Sequence, residues 1–433
     1  METTVKKQNY FIPIIVMILL FGMISFVTNL ASPMGDILKN QFKIPNWQGT
    51  LGVFANFIAY AVMGIPSGTL LQKKGYKKTA LIAVIVGFVG VGIQTLSGVF
   101  GSFAVYLLGA FVAGFSMCLL NTVVNPMLNR LGGGGNKGNQ LIQIGGSFNS
   151  LCGTAVIVIT GLLIPNIVEA KISDVFPLMY TALGIFAFAF VVILLTKIPE
   201  NEQKQDVVKQ NEKGKGPMAF RHFVLGAIAI FIYVGVEVGI PNVLHKWLQN
   251  PELNVLGNIS DPDDVAASVA ATYWFLMLIG RLIGSIIGSK VSAKAMLTVV
   301  SFIGIILTLL AMFGPSSMVK FPAFNGAHGF GMVSIPLNAA FLVCIGLCTS
   351  VMWGGIFNLA VEGLGKYTEK ASGIFMALVC GGGILPLLQN AIVDGLGGVG
   401  YLQSYWVIVI GLAFLLFYAL WGSKNVNKDI PVE

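Results

Sequence analysis

Three charged side chains, Asp36, Glu237 and Arg281, interrupt long apolar segments of this 433-residue sequence. An ionisable group in an apolar layer is costly, so it faces a protein interior or a water-filled cavity. Glu237 follows Arg221 by 16 positions, which is about 24 Å along a helix. That spacing predicts a carboxylate deep in the outer half of a helix, beside a break at Pro241. Such a group could carry a proton, or it could be a protonated acid hydrogen-bonded within a helix bundle.

Arg281 and Asp36 lie at other depths. Arg281 precedes Lys290 by nine residues, about 13 Å, which predicts a guanidinium in the inner half of its helix. A buried guanidinium needs an acid. Glu362, at the inner end of a later helix, has a compatible depth, whereas Glu237 is predicted to lie too far outward. We expect Arg281 and Glu362 to have a structural or gating role. Asp36, taken alone, is typical of a solvated acid at the membrane rim.

Uncharged polar residues in the apolar segments could bind a small polar substrate. Amides offer paired hydrogen bonds to hydroxyl groups, and an aromatic ring offers a face for C–H groups. The alternative role for each amide is a hydrogen bond between packed helices. The candidates are Asn121, Asn125, Gln143, Asn149, Asn358 and Gln389, with Trp353.

The composition excludes a soluble enzyme. Only 10% of residues are charged and 55% are hydrophobic, against about 25% charged in soluble domains. The apolar segments are continuous rather than alternating, which favours membrane-crossing helices over barrel strands. We predict an all-α membrane protein with twelve transmembrane helices in two six-helix bundles, over residues 10–35, 48–71, 79–97, 102–129, 139–164, 175–196, 220–247, 266–289, 294–313, 335–361, 371–393 and 400–422.

The basic residues predict orientation and domains. Twenty of the 26 Lys and Arg residues fall in one set of loops and five in the other, which predicts both termini and the polar linker in the cytoplasm. The domain prediction is a bundle at 1–196, a linker at 197–219 and a bundle at 220–433. A repeat supports it, because Gly64, Gly68, Lys74 and Lys78 recur 216 residues later as Gly280, Gly284, Lys290 and Lys294. The basic clusters are short and lack aromatics, so nucleic-acid binding is not expected.

The loop at 68–78 carries a family resemblance. Its four lysines, Lys73, Lys74, Lys77 and Lys78, look like the signature loop between helices two and three of the major facilitator superfamily. The usual acid of that loop is Gln72 here. This departure resembles the fucose–galactose–glucose:proton symporter family. Further motifs agree in order and spacing over nearly the whole chain: Gly35-Asp36, Asn125-Pro126, Phe148-Asn149-Ser150, Val236-Glu237-Val238, Tyr273-Trp274, and residues 280–284, 363–368 and 381–389.

The resemblance implies the two bundles of the major facilitator fold and a role for some residues. An acid at the Asp36 position is implicated in proton coupling in that family, so Asp36 joins Glu237 as a coupling candidate. The family's acid or glutamine in helix four corresponds to Asn121. Its glutamine in helix five corresponds to Gly146. Both changes lie where sugar specificity would be set.

We therefore expect a monomeric inner-membrane transporter that imports a monosaccharide by proton symport and contacts membrane lipids. No cofactor is expected, and the three histidines and five cysteines match no metal-ligand spacing. Sodium-coupled uptake and export of amphipathic compounds are the alternatives with the same fold. A non-transporting membrane sensor would be expected to carry a soluble signalling domain, and these segments contain none.

Overall fold

The computed structural model describes residues 10–42, 51–163, 171–200, 216–257, 259, 262–325 and 329–432. These residues are mostly helical. The helices are α1 Phe11–Phe42, α2 Leu51–Phe100, α3 Phe103–Leu131, α4 Gly135–Leu163, α5 Phe176–Leu195, α6 Arg221–Gln249, α7 Pro262–Ile287, α8 Ala293–Phe313, α9 Leu337–Thr349, α10 Met352–Val361, α11 Thr368–Ala377, α12 Gly381–Gly395, α13 Tyr401–Ser404 and α14 Trp406–Phe417, which continues as a π-helix over Tyr418–Gly422. Short 3-10 turns occupy Ile172–Val175, Pro217–Ala219, Gly365–Tyr367 and Leu378–Cys380.

Ten helical segments of this described part are long and apolar enough to cross a membrane. One of them, Phe54–Phe100, has 47 residues, about twice a single crossing. It bends at Gly75, whose φ of 78° breaks the helix where the sequence predicts a cytoplasmic loop. Together with α4, these segments are consistent with the predicted twelve.

Several predicted helices are interrupted. The predicted helix at 335–361 is α9 and α10, separated near Ser350 and Val351. The one predicted at 371–393 is α11 and α12, with a 3-10 turn between them. A β-hairpin that the sequence did not suggest, β1 Met318–Phe324 and β2 Phe330–Pro336, joins α8 to α9.

The chain groups into two compact units. The first is Met1–Gly134 with Phe148–Gly214, and the second is Gly135–Ser147 with Lys215–Glu433. Helix α4 therefore begins in the second unit and ends in the first. The predicted linker lies largely outside the described residues, so the predicted domain boundaries stay a prediction.

A seam of small residues holds α6 against α12 in the second unit. A side chain at Gly381 would collide with the backbone carbonyl of Phe231, and one at Gly235 would collide with Leu385. One turn further on, Gly239 meets the amide of Gln389. Glycine every fourth residue lets helix backbones approach closely in a membrane, where van der Waals packing drives association. Because Gly235 and Gly239 face α12, the opposite face of α6 is turned away from α12. Glu237 lies on that opposite face.

Candidate functional site

A buried ion pair joins α6 to α7. Arg281 Nη2 lies 3.2 Å from Glu237 Oε1, and each side chain is only 13% exposed. The hydroxyl of Tyr233, one helical turn before Glu237, donates to the same oxygen at 2.9 Å. One carboxylate oxygen therefore accepts two hydrogen bonds, one of them charge-assisted.

The predicted pairing of Arg281 with Glu362 is wrong. Glu362 is exposed at the end of α10, and its backbone carbonyl accepts a hydrogen bond from His222 Nε2 at 2.9 Å. The predicted depths came from the rise per residue of a helix, which locates only Cα atoms. They also assumed that Arg221 and Lys290 lie at the same level of the membrane. An arginine side chain is long enough to carry its guanidinium well away from its Cα atom, so the two charged groups can meet although the Cα atoms differ in predicted depth.

Two backbone carbonyls also contact the guanidinium. Arg281 Nη1 donates to the carbonyl of Gly146 in the first half of α4, and Nε donates to that of Ser350 between α9 and α10, each at 3.3 Å. A Cβ added at Gly146 would lie 3.7 Å from Arg281 Cδ. Arg281 therefore extends over Gly146, the position at which the family resemblance implies a glutamine.

Aromatic side chains flank the ion pair. The ring of Trp353, a predicted substrate residue on α10, lies 6.4 Å from the Tyr233 ring and 6.1 Å from that of Phe375. The hydroxyls of Tyr273 and Thr349 are 2.8 Å apart. The sequence reasoning missed both tyrosines. Tyr233 could have been found, because it precedes Glu237 by four residues and therefore shares its helix face.

The predicted amides of the second unit differ in their partners. Gln143 Nε2 donates to the Val351 carbonyl at 2.9 Å, and Asn358 Nδ2 donates to the Gly135 carbonyl at 3.1 Å. Gln389 is fully buried, and within the described residues its amide has no hydrogen-bond partner. Gln143 and Asn358 are therefore engaged in packing, whereas Gln389 has hydrogen-bonding capacity left.

The predicted amides of the first unit are also bonded to protein. Asn121 donates to the Tyr60 hydroxyl at 2.6 Å, and Asn125 donates to the Asn121 carbonyl at 2.9 Å. Asn149 donates to the carbonyl of Phe21 at 2.8 Å. These bonds correspond to the packing alternative, and their role in binding sugar stays a prediction. Asp36 is part of α1, but its side chain lies outside the described residues, so its coupling role is also a prediction.

The lysines of the loop at Gly75 have unequal surroundings. Lys77 Nζ donates to the carbonyls of Leu194 and Thr196 at 2.8 and 2.9 Å, whereas Lys73, Lys74 and Lys78 are exposed.

An acid that the sequence reasoning missed lies at the same bend. The carboxylate of Glu200 accepts from the backbone N–H groups of Tyr76 and Lys77 at 2.9 and 2.8 Å. It caps the helix that starts after Gly75, where unpaired N–H groups favour an anion. Glu200 is more than 120 residues away in sequence, so no local pattern indicates this contact.

No group of three or more His, Cys, Asp or Glu side chains in the described ranges could hold a metal ion. The polar groups described above are carboxylate, guanidinium, hydroxyl and amide. They can exchange a proton and bind hydroxyl groups.

Comparisons with known proteins find relatives over nearly the whole chain. A glucose/galactose transporter of Brucella abortus is 29% identical over 428 residues, covering 98% of this chain and 97% of that protein. The L-fucose-proton symporter of Escherichia coli is 22% identical over 455 residues, covering 98% and 96%. The crystal structure of the transporter FucP in its outward conformation matches with a TM-score of 0.79 at 18% identity, over 96% of this chain and 100% of that chain.

The structural match confirms the predicted fold, and the relatives confirm a transporter rather than an enzyme. A family model described as the Major Facilitator Superfamily matches residues 14–386, which is most of the sequence. The chain belongs to the Major Facilitator Superfamily and is a multi-pass membrane transporter.

Proposed function

We propose that this transporter imports a monosaccharide (a hexose, deoxyhexose or amino sugar) together with a proton. The observation that carries the proposal is the buried contact of Glu237 with Arg281 and Tyr233. Named relatives that transport glucose, galactose or L-fucose support the substrate class, and the L-fucose relatives support the proton.

The ion pair can couple proton binding to a conformational change, because a proton and the Arg281 guanidinium compete for the same carboxylate of Glu237. Protonation of Glu237 removes the charge that holds Arg281 and leaves the guanidinium on the carbonyls of Gly146 and Ser350. Those carbonyls belong to α4 and to the break between α9 and α10, so the proton acts on a side chain of α7 that also contacts these segments. A buried charge without its partner is strongly unfavourable, which makes the protonated arrangement a distinct state.

The same cluster offers groups for a sugar. Protonated Glu237 can donate to a hydroxyl, and a loosened Arg281 can donate to two acceptors at once. Trp353 supplies an aromatic face beside them. Transport would then proceed by alternating access, with protonation and sugar binding both favouring the arrangement in which the ion pair is open.

Uptake into proteoliposomes tests this function directly. A panel of labelled hexoses, deoxyhexoses and amino sugars would be offered with an inward proton gradient, with a sodium gradient at constant pH, and with neither. We expect accumulation of at least one sugar with the proton gradient alone. Accumulation only with sodium would overturn proton coupling, and efflux of amphipathic dyes without sugar uptake would overturn import.

The charge bias supports the orientation proposed here. We propose a monomer in the inner membrane, in contact with its lipids and with both termini and the linker in the cytoplasm. In intact cells, Asp263→Cys should react with an impermeant thiol reagent and Lys204→Cys should not, with the unsubstituted protein as background. The reverse labelling pattern would refute this orientation.

A further inference from the structure

The hairpin β1–β2 has two apolar faces, and only one is covered. The strands pair antiparallel, so Phe324 lies opposite Phe330 and Pro322 lies opposite Met332. Side chains alternate between the faces of a strand. The inner face carries Ala323, Val333 and Ile335, which are at most 8% exposed.

The outer face is apolar and exposed. Phe330 is 74% exposed, Met332 61%, Met318 49% and Phe324 47%. Lys320 is the charged residue of this face, and it is also exposed. Large apolar side chains clustered on one exposed face mark an interaction surface.

The hairpin is attached to a lipid-facing stripe of α7. The backbone N–H of Phe324 donates to Ser268 Oγ at 2.9 Å. Phe275 and Leu282 follow Ser268 at intervals of seven residues, so all three share one helix face. Both are about half exposed. The large exposed side chains along this part of α7 are all apolar: Trp274, Phe275, Leu282, Ile283, Ile286 and Ile287. A water-filled cavity would be lined by polar groups, so this stripe meets hydrocarbon.

We propose that the outer face of the hairpin rests in the interfacial layer of the bilayer. This membrane contact would lie beside the first turn of α7, which begins at Pro262. Phe324, Phe330 and Met332 would enter the boundary between headgroups and acyl chains, continuous with the stripe below them. Lys320 would reach lipid phosphates, because basic and aromatic side chains favour this layer.

A second copy of the chain fits this face less well. A stable protein–protein contact buries about 1,200–2,000 Å² in total. Alternate residues of two seven-residue strands offer few side chains for that purpose. Lipid needs no shape complementarity and tolerates a lone cation at the phosphate level.

Fluorescence quenching in lipid nanodiscs tests the proposal. A bimane label on Phe330→Cys would be compared with one on Asp263→Cys. Asp263 is exposed in the first turn of α7. Unsubstituted protein, with its five native cysteines, gives the background. We expect spin-labelled lipids carrying the nitroxide near the headgroup to quench the label at 330 several-fold more strongly than the label at 263. Iodide in the water should show the reverse order.

A third variant and a cross-linking arm complete the test. Adding Met332→Glu to Phe330→Cys should weaken lipid quenching and raise iodide quenching while the melting temperature stays close to that of Phe330→Cys. Equal quenching of the two sites by lipid, or disulfide cross-links between copies at 330, would overturn the membrane contact. The measurement does not involve transport, so a failed sugar assay leaves it unaffected.

Discussion

Removing one partner of the Glu237–Arg281 pair should destabilise the second unit more than removing both. At 3.2 Å, two unit charges attract by about 5 kcal/mol at an effective dielectric constant of about 20. Desolvation of both charges offsets much of that attraction, so the intact pair is worth little in net terms. A single loss leaves the other charge buried without its opposite charge in this pair, which costs about 3–5 kcal/mol.

A double-mutant cycle measures this coupling. Arg281→Met, Glu237→Met and the double variant would be compared by thermal unfolding in detergent and in nanodiscs. Each single change should lower the melting temperature by several degrees, and the double change should lower it by less than the two losses added together. The matched control is Arg281→Met with Glu362→Met, whose effects should add because Glu362 is exposed. Coupling in the control cycle and additivity in the first would refute the pairing.

Two other contacts, one in each unit, can be tested by substitution. Glu200→Ala should lower the free energy of unfolding by about 1 kcal/mol because a helix cap is lost. Glu200→Gln should lower it by less because a hydrogen-bond acceptor remains. Equal losses in the two variants would contradict the capping role. Gly381→Ala should cost about 1–3 kcal/mol because its Cβ meets the carbonyl of Phe231, whereas Gly395→Ala, with open space around it, should be neutral or stabilising in the same melting assay. If the two alanine variants melt alike, the seam between α6 and α12 is not close-packed.

Membrane helices could be predicted because the bilayer imposes their length and composition. Runs of apolar residues between short charge clusters located most helix ends to within four residues, although α1 continues to Phe42, beyond the predicted end at residue 35. Gly75 bends α2 where the lysine-rich loop was expected. The hairpin was not predicted. Its inner strand residues pack on helices and its outer ones are also apolar, so the alternation that identifies a half-buried strand is missing.

The charged residues of the site were predicted from the sequence, but the ion pair between them was not. Glu237 and Arg281 could be singled out because charges in apolar segments are rare. Their contact could not, since it depends on side-chain reach and on how α6 and α7 are offset. The amides show the same limit. Sequence identified Gln143 and Asn358 as buried polar groups, but only the fold shows that backbone carbonyls of Val351 and Gly135 accept from them.

The most direct test of the account is the effect of Glu237→Gln on sugar transport in proteoliposomes. The amide keeps the shape of the side chain and a hydrogen bond to Tyr233, but it cannot carry the coupled proton. We predict that accumulation driven by an imposed pH gradient is lost while exchange of labelled for unlabelled sugar stays measurable. Glu362→Gln, the exposed control, should retain both activities. Accumulation against the sugar gradient by Glu237→Gln at the rate of the unsubstituted protein would contradict the assignment of proton coupling to this pair.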